Sequence, residues 1–237
     1  MNKYIAALTL FIASSSVIAD TLSPKNPILR PLTLKEREVS LIGGVAYGEE
    51  SNSDKSFAVA LNAGYGVTDN LMFDLSGATY RFLERADNDY GLELAASAGI
   101  RGIYESNVNN SDDTFGLGAD IFGKYVFSDD MAVHFGVGYI HWEEDVLDNR
   151  SEMHYSIGLQ KRIIRNVTFS TSYTYRDLSD FVQDNAYVWQ TGLTYNVDRQ
   201  LDVGVFFAKT DFDTLKNGYS SDSGLETSGG VFVEYRF

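Results

Sequence analysis

The feature that most constrains the fold of this chain is an alternation of apolar and polar residues with a period of two, which runs from about Glu38 to the last residue. Such alternation is typical of β-strands with one face in an apolar environment, whereas an amphipathic helix repeats every 3.6 residues. Near the chain end, one face carries Val231, Val233, Tyr235 and Phe237. The pattern predicts an all-β protein.

Eleven runs show this alternation, and most hold about ten or more residues. They lie near residues 38–48, 56–67, 71–83, 90–106, 114–127, 131–142, 152–163, 167–176, 186–197, 201–210 and 225–237. Strands of globular proteins usually hold about 5–6 residues, whereas a tilted strand that crosses a bilayer needs about 9–11. The run lengths therefore favour a transmembrane antiparallel up-and-down β-barrel.

Two sizes of connection join the runs. The short ones are rich in Asp and Asn, as tight turns are, and lie at 68–70, 128–130, 165–166 and 198–200. The longer polar ones lie at 49–55, 84–89, 143–151, 177–185 and 211–224. Short turns at one end and longer loops at the other are typical of outer-membrane barrels.

The number of strands follows from a parity argument. Bacterial single-chain barrels have an even number of strands, but eleven runs are odd. We therefore expect twelve strands, with run 90–106 divided by a turn near Ala98 and Gly99. A misassigned run or a further strand within residues 24–37 would also restore parity, and ten strands is the alternative count.

The first 19 residues have the pattern of a secretory signal peptide. Lys3 precedes a short apolar stretch, and Val17 and Ala19 form a cleavage site with small residues. The apolar stretch is shorter than the ~20 residues of a membrane-spanning helix. We therefore predict a signal peptide at 1–19, an N-terminal periplasmic segment at 20–37 and a barrel at 38–237.

The last seven residues, VFVEYRF, resemble the C-terminal assembly signal of bacterial outer-membrane β-barrels, with Val233, Tyr235 and Phe237 at the matching positions. This resemblance implies the outer membrane of a Gram-negative bacterium as location. It also implies contact with membrane lipid and lipopolysaccharide, and insertion by the barrel-assembly machinery. Residues 30–34 and 65–71 are similar to uncharacterised transporter-like outer-membrane proteins, which implies no particular substrate.

Aromatic residues at the ends of the runs distinguish the two faces. On the apolar face they are Tyr65, Phe73, Tyr104, Tyr125, Phe127, Tyr175, Tyr187, Tyr195 and Tyr235. Aromatic side chains form girdles at both membrane interfaces of outer-membrane barrels. We therefore expect the apolar face to meet lipid and the polar face to line the lumen. A soluble barrel with an apolar interior is the alternative.

The predicted inner face carries acidic residues, including Glu105, and basic residues in nearly equal number. Three phenylalanines, Phe122, Phe206 and Phe232, also point inward. The predicted charge network of the lumen consists of Glu93, Arg101, Asp120, Lys124, His134, His154, Arg162, Arg176, Asp202, Glu226, Glu234 and Arg236. Charges that face one another in a narrow space need partners. We therefore expect ion pairs across the lumen that close it or leave only a narrow pore.

Composition argues against several other functions. A formal net charge of −14 disfavours nucleic acid as a partner, and the absence of cysteine excludes disulfides and thiol catalysis. No metal or phosphate-binding motif is present, so no cofactor is expected. His134 and His154 could approach each other near Asp120 and Ser156, but the spacing matches no catalytic motif, and we expect no enzyme activity.

The sequence thus predicts an integral outer-membrane barrel that is either structural or a narrow passive channel for small solutes. A surface interaction protein that presents its acidic loops is the alternative. A barrel hydrolase is a third and weaker one. The oligomeric state is left open by the sequence.

Overall fold

The computed structural model describes residues 23–86, 89–105, 113–144 and 149–237. Twelve antiparallel strands form a single closed sheet in which each strand pairs with the next along the chain and the last pairs with the first. The strands are β1 Val39–Glu49, β2 Lys55–Thr68, β3 Leu71–Asp74, β4 Gly77–Leu83, β5 Gly91–Glu105, β6 Asp113–Ser128, β7 Met131–Glu143, β8 Arg150–Ile164, β9 Val167–Ser179, β10 Asn185–Asn196, β11 Leu201–Thr210 and β12 Thr227–Arg236. The predicted twelve-stranded up-and-down barrel is confirmed.

Helical structure within the described residues is limited to two single turns, Pro27–Leu29 and Ser221–Ser223. No helix in the described ranges is long and apolar enough to cross a membrane.

The barrel closes where the end of the chain meets β1. Phe237 donates a backbone hydrogen bond to Val39 at 3.0 Å and accepts one from it at 2.8 Å. The Tyr235 and Phe237 rings lie 5.8 Å apart, beside this seam. The residues of the predicted assembly signal therefore take part in closing the sheet.

The predicted position of the additional strand was wrong. Run 90–106 is one continuous strand, whereas run 71–83 divides into β3 and β4. The turn between them is closed by the Asp74 carboxylate, which accepts hydrogen bonds from the backbone N–H groups of Ser76 at 2.7 Å and Gly77 at 3.0 Å. Asp commonly stabilises turns in this way. The turn is so short that the run of alternating residues continues through it with its phase reversed.

Two paired glycines hold this turn against β5. Gly77 lies directly opposite Gly99, and their φ angles are +156° and +155°. A Cβ atom on Gly77 would lie 2.8 Å from the Gly99 Cα, and one on Gly99 would lie 2.7 Å from the Gly77 Cα. Only glycine allows the two backbones to approach so closely.

Apart from the turn between β3 and β4, the connections lie at the two ends of the barrel. The turn end carries Val39, Phe237, the described residues 84–86 and 89–90 between β4 and β5, and the connections 69–70, 129–130, 165–166 and 197–200. The loop end carries 50–54, 180–184 and 211–226, together with the facing ends of β5 and β6 and of β7 and β8. The sequence pattern predicts 84–89 among the long loops of the opposite end. This was wrong because the division of run 71–83 reverses the direction of the chain once more.

Apolar side chains cover the outer face as predicted, with one local exception. A register shift between Ile100 and Gly102 marks a bulge in β5, and a bulge changes which side chains point inward. As a result Tyr104, predicted on the outer face, lies inside and stacks on Tyr219 at 4.6 Å between ring centroids. Glu105, predicted inside, is exposed at the end of the strand.

Candidate functional site

Residues 23–37, which we call the plug segment, lie across the turn end of the lumen. The segment is bound to four separate connections at the rim of the barrel, so it spans the opening. The hydrogen bonds run from Lys25 Nζ to Val197 O (2.9 Å), Asn26 Nδ2 to Asp129 O (2.7 Å), Arg85 Nη2 to Leu29 O (2.6 Å) and Thr33 Oγ1 to Asp69 O (2.7 Å).

Arg30 anchors the plug segment to the inner wall. Its buried guanidinium forms an ion pair with Asp202 of β11 and lies 3.7 Å from the Glu234 carboxylate of β12. Glu234 in turn pairs with Arg236 at 2.7 Å. A buried ion pair of this kind contributes little over an apolar contact, but removing one partner is costly because the other charge is left buried.

Lys124 provides a second anchor from the opposite side of the lumen. Its Nζ donates hydrogen bonds to the main-chain carbonyls of Pro27 at 3.0 Å and Arg30 at 2.9 Å. Next to it, Ile28 is fully buried and packs against Val126 of β6. The backbone carbonyl groups of the plug segment therefore supply the hydrogen-bond acceptors for a buried cation on the barrel wall.

Glu93 is the third anchor and is fully buried. Its carboxylate pairs with Arg81 at 2.8 Å and Arg85 at 3.3 Å and accepts a hydrogen bond from the Leu32 N–H at 3.1 Å. The carboxylate thus joins the ends of β4 and β5 to the plug segment.

A second polar cluster lies higher in the lumen, between β5, β6 and β8. The Asp120 carboxylate accepts a hydrogen bond from Arg101 Nε at 2.7 Å and one from Ser97 Oγ at 3.1 Å. Its other oxygen lies 2.6 Å from His154 Nε2. Gly138 makes room for this contact, because a Cβ atom there would overlap both Asp120 and His154.

The two inward histidines do not come together. His154 is paired in register with Gly138, whereas His134 is paired with Gly158. They therefore lie at different heights in the lumen. The arrangement considered for a hydrolase, with both histidines near Asp120 and Ser156, does not form.

The loop end is narrowed by residues 211–226, which we call the inner loop. Its Phe212, Asn217 and Tyr219 are buried. The Arg176 guanidinium lies 4.3 Å from the Phe212 ring centroid and pairs with Glu152 at 2.5 Å. These contacts hold the loop inside the barrel rather than above it.

Tyr219 fastens the inner loop to the adjacent strands. Its hydroxyl donates a hydrogen bond to Glu144 at 2.6 Å. Burial and this bond to a carboxylate raise the pKa of Tyr219 above its ordinary value. Arg150 lies over the same ring, at 5.3 Å from its centroid, and donates to the Asn217 carbonyl at 2.6 Å.

A cavity of 470 Å³ lies between the two closures. Its lining contains no Asp, Glu, Lys or Arg among the described residues, and its side chains are mostly hydroxyls, amides and aromatic rings. They include His134, Gln160, Ser170, Ser172, Gln190, Thr194, Phe206 and Phe232. Gln190 also lines a second cavity of 260 Å³ beneath Phe212. The lumen therefore contains a chamber lined by uncharged residues between charged ends.

Glycines opposite the phenylalanines determine the width of this chamber. Phe232 lies opposite Gly204, and Phe206 lies opposite Gly230. A Cβ atom on Gly230 would lie 2.7 Å from the Phe206 ring, and one on Gly204 would overlap the Phe232 ring. The rings can therefore lie along the wall. Within the described structure, Nε2 of His134 and Oε1 of Gln160 are buried without a hydrogen-bond partner.

The remaining predicted residues lie at the edges of the barrel. Arg162 binds Asp129 and Asp130 at the rim of the turn end. Glu226 directly precedes β12, and its carboxylate forms no ion pair with any described residue. Val233 lies on the outer face and is exposed.

The charge network also contains residues that the sequence argument missed. Glu152 could have been found, because it occupies an inward position of an alternating run. Arg81 could not, because the turn after Asp74 reverses which residues of run 71–83 point inward. Arg30 could not, because it lies in a segment without periodicity. Glu144 and Arg150 lie where β7 and β8 meet their connection, and the alternation is not informative there.

Comparison with known proteins agrees with this geometry. Residues 38–196 match the family model described as the outer membrane protein beta-barrel domain. The chain belongs to this family. Its location is therefore the outer membrane of a Gram-negative bacterium, with lipid around the outer face.

Two solved porins are similar in fold. The NanC porin has a TM-score of 0.54 at 8% identity, over 83% of this chain and 98% of the porin. The KdgM porin, in a complex with disordered oligogalacturonate, has a TM-score of 0.52 at 10% identity, over 84% of this chain and 99% of the porin. No curated protein matches the chain. The protein is thus an outer-membrane barrel similar in fold to porins.

Proposed function

We propose that the protein is a narrow passive channel for small uncharged polar solutes, closed at rest at the periplasmic end by the plug segment. The turn end is assigned to the periplasm because short turns lie there in outer-membrane barrels. The observation that carries the proposal is the uncharged chamber between two closures. Hydroxyl and amide groups can replace the water around a polar solute, whereas fixed charges of one sign would select ions.

The size of the barrel supports a narrow route. Porins with 16–18 strands enclose an open aqueous channel, whereas smaller barrels are largely filled by side chains. The twelve-stranded barrel here encloses a chamber of 470 Å³. The surface-interaction alternative has less support because the inner loop folds into the lumen and away from the exterior.

The test is planar-bilayer recording of the intact protein and of a variant without residues 23–37. We expect little conductance from the intact protein and a stable, larger, weakly selective conductance from the deletion. Both proteins must first show the heat-dependent gel migration of a folded barrel. A folded deletion variant that remains silent would contradict the channel and favour a structural role.

A matched pair of point variants refines this test. Arg30→Met removes the buried anchor of the plug segment, whereas Arg37→Met changes a side chain that is 80% exposed. We expect Arg30→Met to increase the open time and Arg37→Met to leave it unchanged. Equal recordings from the two variants would show that the plug segment is not the gate.

A further inference from the structure

Among the described residues, no strand fills the barrel wall above the turn between β3 and β4. β3 pairs with β2 only along Gly64–Thr68, and β4 pairs with β5 only as far as Gly99. Residues 55–63 of β2 and 100–105 of β5 therefore each have a strand on one side and, among the described residues, none on the other. We call the gap between these two edges the window.

The window has a defined floor and roof. At the floor, Ile100 N–H donates to the Ser76 carbonyl at 2.6 Å, and Leu75 N–H donates to Asn62 Oδ1 at 3.3 Å. At the roof, the inner loop attaches to the top of β5, where Ser220 N–H donates to the Glu105 carbonyl at 2.7 Å. Hydrogen-bonded segments therefore bound the gap at both its lower and its upper limit.

The edges of the window lie at the depth of the membrane. Phe57, Val59 and Leu61 project from the outer face of β2 and are 77%, 71% and 60% exposed. The Phe57 ring packs against Tyr47, with 4.8 Å between ring centroids, as in an outer aromatic girdle, and Tyr65 lies further along β2 towards the turn end. Aromatic girdles mark the two interfaces of a membrane barrel, so the edge between them faces hydrocarbon.

An unpaired strand edge at this depth requires partners. Lipid-exposed sheet edges do not occur in the hydrocarbon region, because unpaired backbone N–H and C=O groups are costly there. Non-helical backbone is tolerated only where it is buried in protein or lines a water-filled cavity. Ala58 and Ala60, on the inner face of β2, are exposed as well. The edge is thus accessible from both faces, as expected if the window connects the lumen with the surrounding lipid.

A polar cluster lies behind this apolar frame. Arg101 is on β5, two positions above the floor at Gly99, and its side chain lies over Gly118 towards Asp120. His154 completes the cluster from β8. The opening is therefore apolar on the lipid side and polar on the lumen side, which matches a molecule with an acyl chain and a polar end.

We propose that the window admits an acyl-chain amphiphile from the outer leaflet into the lumen, with its chain between β2 and β5 and its polar end towards Arg101, Asp120 and His154. A lipid is the expected occupant because the frame continues the lipid-facing surface of the barrel. This inference goes beyond passage along the barrel axis, and its test does not depend on conductance.

The test uses the absence of cysteine from the chain, because a single introduced cysteine can then be labelled at one position. Ala60→Cys places a small bimane fluorophore on the inner face at the window. Ser172→Cys places it on the inner face of β9, which has strand partners on both sides. Val59→Cys gives the reference for a lipid-facing site. Each labelled protein is reconstituted in phosphatidylcholine vesicles with and without a phospholipid that carries a nitroxide on its acyl chain.

We expect the nitroxide lipid to quench the label at position 60 several-fold more than at position 172, and nearly as much as at position 59. Filling the window with Ala58→Trp should reduce the quenching at position 60 and leave position 59 unchanged. Quenching at position 60 as weak as at position 172, in proteins with the gel migration of folded barrels, would overturn the proposal. Weak quenching at position 60 is also the result expected if a second copy of the chain pairs with the strand edge and excludes lipid from it.

Discussion

The Lys124 ammonium group, on the wall of the barrel, donates a hydrogen bond to the main-chain carbonyl oxygen of Arg30 at 2.9 Å. The contact joins a strand residue to a segment 94 positions earlier in the chain. Because a buried ammonium group is costly without acceptors, the wall and the plug segment depend on each other. Changes in the wall should therefore be detectable as changes in the plug segment.

Replacing Lys124 by alanine should loosen the plug segment without unfolding the barrel. Two hydrogen bonds to Pro27 and Arg30 are lost, while the strand pairing of β6 does not involve the side chain. The measurement is limited proteolysis of the folded protein in detergent, followed by N-terminal sequencing of the product. Lys161→Ala, at an exposed position of β8, is the control. Equal cleavage rates within residues 23–37 would contradict the prediction.

Combining Arg101→Ala with Lys124→Ala should raise the conductance and favour cations. The two changes remove positive charge from the lumen and leave Asp120 and Glu93 in place, and Asp120 also loses its hydrogen bond from Arg101. Reversal potentials in asymmetric KCl measure the selectivity. An anion-selective or silent double variant would show that these residues do not control the lumen.

Glu93→Gln should destabilise the barrel by about 3–5 kcal/mol, because Arg81 and Arg85 would remain buried without their carboxylate. Reversible urea unfolding, followed by the heat-dependent shift in gel migration, measures the change. Glu36→Gln, which alters an exposed carboxylate, should change the stability much less. If both variants unfolded at a similar urea concentration, water would be replacing the Glu93 carboxylate as the partner of Arg81 and Arg85, and the prediction would be wrong.

Gly99→Ala should cost about 1–3 kcal/mol, because its φ of +155° is strained for other residues and a Cβ atom would crowd Gly77. Gly229→Ala is the matched control, because the nearest atom to its Cβ would be a carbonyl oxygen at 3.6 Å, an ordinary contact. The same unfolding assay compares the two. If Gly229→Ala were the more harmful change, the account of the β4–β5 contact would fail.

Removing Phe237 should impair insertion into the outer membrane, because the last residue closes the sheet against Val39 and completes the predicted assembly signal. Ser228→Ala, on the inner face of the same strand, should be inserted normally. Outer-membrane fractionation and heat-dependent gel migration report the folded yield. Equal yields would show that closure and assembly do not require the terminal aromatic residue.

The sequence alone determined the strand-rich fold and the orientation of most side chains. The pleat of a strand places successive residues on opposite faces, so alternation that is continuous over ten residues has one interpretation. Parity then gave twelve strands. The lumen positions of Glu93, Lys124, Asp120 and Asp202 followed from the same rule, because each lies within a regularly alternating run.

Only the tertiary structure decided where the alternation is interrupted and what fills the lumen. The turn held by Asp74 and the bulge beside Gly102 each depend on one or two residues, and each shifts the phase of the alternation without ending the run. The plug segment has no periodicity of its own, and its position is set by contacts with residues up to 172 positions away, such as the pair of Arg30 with Asp202. The local sequence determines on which face of a strand each residue lies. Closure of the lumen and the opening in its wall instead arise from contacts between distant segments.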